Sequence, residues 1–175
     1  MHSWVNLVVR LICLMWTLII TALIGNVVDQ NINGASSAMA ALDWVLFVCA
    51  WSWLACFYSI AATYVDALAN PFITIPIDFF AWLFTIIAGV VLAAKLTGVN
   101  CGNWEHRNFG RGWIAFGSHN TEKRCREIQA STVMMWFLWV CFCVGFFLTC
   151  LQAKGAIGGF GRSSRRSRPN MSQVA

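Results

Sequence analysis

Three uninterrupted charge-free runs set the terms for this chain: 18 residues between Arg10 and Asp29, 22 between Asp43 and Asp66, and 26 between Glu127 and Lys154. A fourth stretch, from Asp66 to Lys95, carries Asp78 as its one charge. A helix crossing the hydrocarbon core of a bilayer needs about 20 mostly apolar residues, because there every backbone N–H and C=O must be satisfied within the segment. The runs do not break into alternating segments of about ten residues, so they do not read as barrel strands. The pattern predicts four helices, over 4–27, 43–65, 71–95 and 128–152. Composition agrees, with 59% hydrophobic and 11% charged residues against about 45–50% and about 25% in soluble domains. Disorder over most of the length is excluded for the same reason. The expected fold class is an all-α membrane protein, a four-transmembrane-helix bundle over 1–154, followed by a flexible basic tail over 155–175. The first predicted helix, 4–27, has no Lys or Arg before it, is too long for a signal and has no A-x-A site after it, so it reads as a retained helix and not as a cleaved signal.

Four spans put both termini on one side. Six basic residues then fall on each side, so the positive-inside count alone does not orient the chain. Two features do. The tail RSSRRSRPN has no acidic residue, whereas the 96–127 loop contains Glu105, Glu122 and Glu127. That loop also holds Cys101 and Cys125, the two cysteines clearly outside the apolar runs, and a pair there suits an oxidising compartment. Both termini are therefore expected in the cytosol, where the sequon Asn170-Met171-Ser172 would stay unmodified.

Small residues recur every fourth position in each predicted helix: Thr17, Thr21 and Gly25; Ala55, Ser59 and Thr63; Ala81, Thr85, Gly89 and Ala93; Cys141, Gly145 and Thr149. Helices in lipid associate through such close-approach rows, which predicts a compact bundle with small faces inward. The competing reading makes some rows outer faces for homo-oligomers. Two charges lie in the apolar zone and need partners there. Arg10 and Asp78 sit at matching depths, about 10 Å from the cytosolic end at about 1.5 Å per residue. Either they form an intramembrane ion pair, or Arg10 snorkels to the headgroups while Asp78 caps a turn freed by Pro76.

No catalytic constellation stands out. His2, His106 and His119 are scattered, and no His or Cys spacing offers zinc ligands, so no enzyme activity, metal or cofactor is expected. Cys141 and Cys143 read as structural thiols. Trp104, Phe109 and Trp113 belong to a flexible loop and are expected near the headgroups. Cys101 and Cys125 form either a disulfide or two separate thiols near helix ends; the disulfide would contribute about 3–4 kcal/mol in the chain-entropy picture. Cys150, at the cytosolic end of the last helix, is a palmitoylation candidate or an ordinary helix cysteine. In the tail, Arg162, Arg165, Arg166 and Arg168 can attract anionic headgroups at about 1 kcal/mol per charge, and phosphorylation of Ser163, Ser164 or Ser167 would cancel that attraction. The plain alternative is a topology anchor.

Four spans, short turns, an Arg early in the first helix and I-D-F-F-A-W-L-F-T-I-I-A-G in the third resemble fungal MARVEL-domain proteins, in particular the non-classical export protein 2 family. N-C-G-N opening the last loop, R-C-R-E-I-Q-A at the start of the fourth helix and S-Q-V near the end extend the resemblance over nearly the whole chain. It implies that Arg10, Asp78, Cys101 and Cys125 occupy family positions. It also implies a place in sterol-rich plasma-membrane compartments with eisosome proteins, a response to sphingolipid levels, and a role in export of leaderless proteins. The expected function is a non-catalytic organiser of plasma-membrane microdomains, whose partners are membrane lipids (sphingolipid, sterol, anionic headgroups), eisosome proteins and further copies of itself, with no nucleic acid. The alternative is a small carrier or channel with Arg10 and Asp78 lining the path.

Overall fold

In the computed structural model the described residues are 2–65, 68, 70–98, 100–102 and 112–163; of these, 2, 3, 71 and 155–163 are described by backbone alone. Four helices follow one another: α1 (His2–Asp29), α2 (Ser36–Tyr64), α3 (Pro71–Leu96) and α4 (Thr121–Ser163). Each contains a stretch long and apolar enough to cross a membrane. Two helices start well before the charge pattern predicts. α2 starts at Ser36 because Asp43, an exposed residue on its second turn, ends the apolar run without ending the helix. α4 starts at Thr121, where Asn120 caps the first turn by accepting from the Lys123 N–H at 3.0 Å. Its backbone also stays helical through Ser163, well into the 155–175 stretch expected to be a flexible tail. Charges mark where a helix leaves the lipid, which is not where it stops.

The helices pack in a ring. α1 lies against α2 and α4, and α3 lies against the same two, so α1 and α3 face each other across a diagonal. The small-residue rows turn mostly inward: Thr17, Ser52, Ala55, Ser59, Ala81, Thr85, Gly89, Gly145 and Thr149 are all buried. Several of their hydroxyls bond within their own helices, as in the Thr17 and Thr85 bonds to the carbonyls of Cys13 and Ala81, both 2.8 Å. This is how Ser and Thr sit in a span without seeking water. The rows leave the interior at their loop-side ends, where Ala93 is exposed and Gly25 has no neighbour within contact distance of where a Cβ would be. Trp16 stacks on Phe137 between α1 and α4. Trp44, Phe47, Trp51, Phe80 and Phe84 form a chain of ring contacts between α2 and α3.

At the loop end, Cys101 and Cys125 are joined in a disulfide. Arg124 is buried beside it; its Nε donates to the Ile114 carbonyl at 3.3 Å and its Nη1 to Asn31 Oδ1 at 3.0 Å. The Gly117 carbonyl accepts from the N–H groups of Ile32 and Asn33. Residues 112–120 are thereby fastened to the α1–α2 turn. Gly117 is required there: its φ is +107°, and a Cβ would come within 2.5 Å of the Gly34 backbone nitrogen. Trp113 corrects the expectation of a headgroup-facing ring, since it is 6% exposed and its indole N–H reaches the Leu96 carbonyl at 3.4 Å. Trp104 and Phe109 lie outside the described residues.

Candidate functional site

The charges in the span meet inside the bundle. Arg10, on the third turn of α1, extends along the diagonal and pairs through Nη2 with Oδ2 of Asp78, on the second turn of α3. Both residues are buried, at 0% and 1% exposure. α4 completes the group: Thr149 Oγ1 donates to the same carboxylate oxygen at 2.7 Å and accepts from Arg10 Nη2 at 3.3 Å. One turn earlier on α4, Gly145 makes room for the guanidinium. A Cβ there would lie 3.2 Å from Arg10 Cζ and 3.3 Å from Nη1. The group therefore ties three helices through one ion pair, at a crossing where Gly145 presents no side chain.

An ion pair moved from water to a low-dielectric interior is held only if geometry and added hydrogen bonds offset desolvation. Thr149 supplies part of that. Arg10 Nε and Nη1, Asp78 Oδ1 and Asn6 Oδ1 are buried and without hydrogen-bond partners. Asn6 stands one turn before Arg10 on α1 and is itself 5% exposed. The Pro76 turn is not the partner of Asp78, as α3 runs unbroken through Pro76.

The residues singled out in the sequence separate into three groups. Arg10 with Asp78, and Cys101 with Cys125, are each brought together. Cys150 is half-buried on α4, one residue past Thr149. Of the tail, Arg162 and Ser163 close α4 and are described by backbone alone, while Ser164, Arg165, Arg166, Ser167 and Arg168 lie outside the described residues. Two participants were not singled out as part of the polar group. Thr149 and Gly145 belong to a small-residue row, and their signal was depth: α4 passes them at the level of Arg10 and Asp78. Three thiols also gather in the interior, with Cys13 of α1 in hydrogen-bond reach of Cys56 on α2 and Cys141 on α4. Among the described residues no group of His, Cys, Asp or Glu is arranged to hold a metal ion.

The MARVEL family, described as a membrane-associating domain, matches residues 3–148. The chain is 26% identical over 175 residues to non-classical export protein 2 of Saccharomyces cerevisiae, covering 95% of this chain and 96% of that one. It is 24% identical over 137 residues to the non-classical export protein 2 homolog of Schizosaccharomyces pombe, covering 78% of this chain and 71% of that one. No solved structure gives a significant match.

Proposed function

Because the chain belongs to the MARVEL family of membrane-associating domains, we propose that it is a non-catalytic organiser of plasma-membrane microdomains, with both termini in the cytosol. The observation that carries this reading is the closure of the intramembrane charges on each other. Arg10 and Asp78 are enclosed at 0% and 1% exposure and bound to Thr149, which suits a clamp between helices better than the lining of a hydrated path. The bundle meets its surroundings through an apolar exterior on which Trp4, Leu54, Phe57, Phe72 and Phe147 are each more than half exposed. A protein built this way acts through what packs against it. On this reading the partners are sphingolipid and sterol, eisosome proteins and further copies of the chain. The Arg162–Arg168 stretch with Ser163, Ser164 and Ser167 is a phosphorylation-sensitive contact for anionic headgroups, and Cys150 is a site for an acyl anchor. Likeness to the non-classical export proteins supports a part in export of leaderless proteins, through the state of the membrane.

Imaging a tagged copy at the surface of living fungal cells, before and after blocking sphingolipid synthesis, tests the proposal. Stable patches that disperse on depletion are expected; an even or internal distribution unmoved by lipid would overturn it. A carrier is the second reading, favoured by the unpartnered atoms around Arg10 and Asp78. In that case Arg10→Gln abolishes flux while the protein keeps its location.

A further inference from the structure

The contacts between α1 and α4 keep one antiparallel register. As α1 proceeds from Arg10 to Trp16 to Asn26, the partner on α4 retreats from Gly145 to Phe137 to Glu127. Cys13 and Cys141 fall between the first two of these contacts, and Cys13 is within hydrogen-bond reach of Cys141 and of Cys56 on α2. The three thiols differ in access. Cys13 and Cys56 are enclosed, at 0% exposure, whereas Cys141 is half-buried beside Val140 and Val144, both near half exposed. Cys141 also stands at the middle of the charge-free run between Glu127 and Lys154. It therefore connects the enclosed thiols to the acyl chains of a surrounding bilayer.

Ionic thiol chemistry is disfavoured in that setting, because its nucleophile is the thiolate and an unpaired charge in an apolar medium is costly. Transfer of a hydrogen atom creates no charge. We propose that Cys13 and Cys141 form a site that quenches lipid peroxyl radicals, carried on oxidised acyl chains, by conversion of the two thiols to a disulfide. A first peroxyl radical takes the hydrogen atom of the Cys141 S–H bond and leaves as a lipid hydroperoxide. Cys13 passes its own hydrogen atom to the Cys141 sulfur across their contact, so the unpaired electron moves to the enclosed Cys13 and Cys141 is a thiol again. A second peroxyl radical takes that hydrogen, and the two sulfur radicals couple. Two thiols and two peroxyl radicals thus give one disulfide and two hydroperoxides. The new bond joins α1 to α4 one turn from the place where Arg10 passes Gly145, and a thiol reductant reopens it. The inference needs a bilayer around the chain and does not rest on the organiser reading.

The test uses the purified full chain in vesicles of polyunsaturated phosphatidylcholine, exposed in air to a lipid-soluble azo initiator. Remaining thiols are then blocked with N-ethylmaleimide in denaturant, and peptides are mapped by mass spectrometry without reduction. The expected result is Cys13–Cys141 as the principal new disulfide, absent without initiator and suppressed when α-tocopherol competes for the radicals in the bilayer. Hydrogen peroxide, an ionic two-electron oxidant, should leave the pair as thiols. Cys143 and Cys150, half-buried on the same helix, should stay unlinked. Recovery of Cys13 and Cys141 as thiols from peroxidised vesicles overturns the proposal without depending on any variant, as does equal linkage by hydrogen peroxide. In Cys141→Ser, Cys13 should remain a thiol. A Cys13–Cys56 disulfide formed in that variant at the wild-type yield would show that the radicals enter elsewhere, which contradicts the role given to Cys141.

Discussion

Asp78 engages one carboxylate oxygen twice, with Arg10 and Thr149, and leaves the other without a partner. That asymmetry decides what substitutions do. Asp78→Asn leaves a buried guanidinium uncompensated, and removing one partner of a buried pair costs about 3–5 kcal/mol. Gly145→Val keeps every charge and pushes side-chain carbon into the guanidinium, an overpacking cost of about 1–3 kcal/mol. Thermal unfolding in detergent should therefore rank wild type above Gly145→Val above Asp78→Asn; an unshifted Gly145→Val would mean that Arg10 has another place to go. The two charges were legible in the sequence because ions in an apolar run stand out. Thr149 and Gly145 were not, since spacing gives the face of a helix and not which residues of a neighbouring helix meet it. Arg124 went unread for the opposite reason, being one of several charges at a helix start with nothing in the pattern to mark it as the buried one.

At the scale of elements, the number and order of helices follow from the apolar runs, while the starts of α2 and α4 do not. Asp43 and the charged turns at 122–127 belong to helices that extend past the apolar stretch, so a count of charge-free residues fixes where the chain is in lipid and not where it is helical. The loop end was legible in its cysteines alone. Its remaining fastening, with Gly117 against Gly34 and Arg124 against Asn31, depends on a backbone conformation that no spacing reveals. Cys101 and Cys125 are 24 positions apart, and removing a disulfide that closes a loop of this length should lower stability by about 3–4 kcal/mol. The double variant Cys101→Ser, Cys125→Ser should unfold at lower temperature than wild type, and dithiothreitol should shift only the wild type. A wild type insensitive to reductant would show that the hydrogen bonds of 112–120 hold the loop by themselves.

The molecule as a whole is a ring of four helices tied across its middle by one ion pair at one end and capped by a stapled loop at the other. The small-residue rows bring α1 to α2 and α4, and α3 to the same neighbours, so no backbone contact joins α1 to α3 among the described residues. Arg10 supplies that diagonal connection. If closure of the ring is what lets the apolar exterior gather lipid and partners, opening the diagonal should scatter the protein even though nothing on its outer surface has changed. The distribution of tagged Asp78→Asn beside tagged wild type in the same living cells measures this directly. The account predicts patches for the wild type and a dispersed or internally retained Asp78→Asn; wild-type patches formed by Asp78→Asn would contradict it.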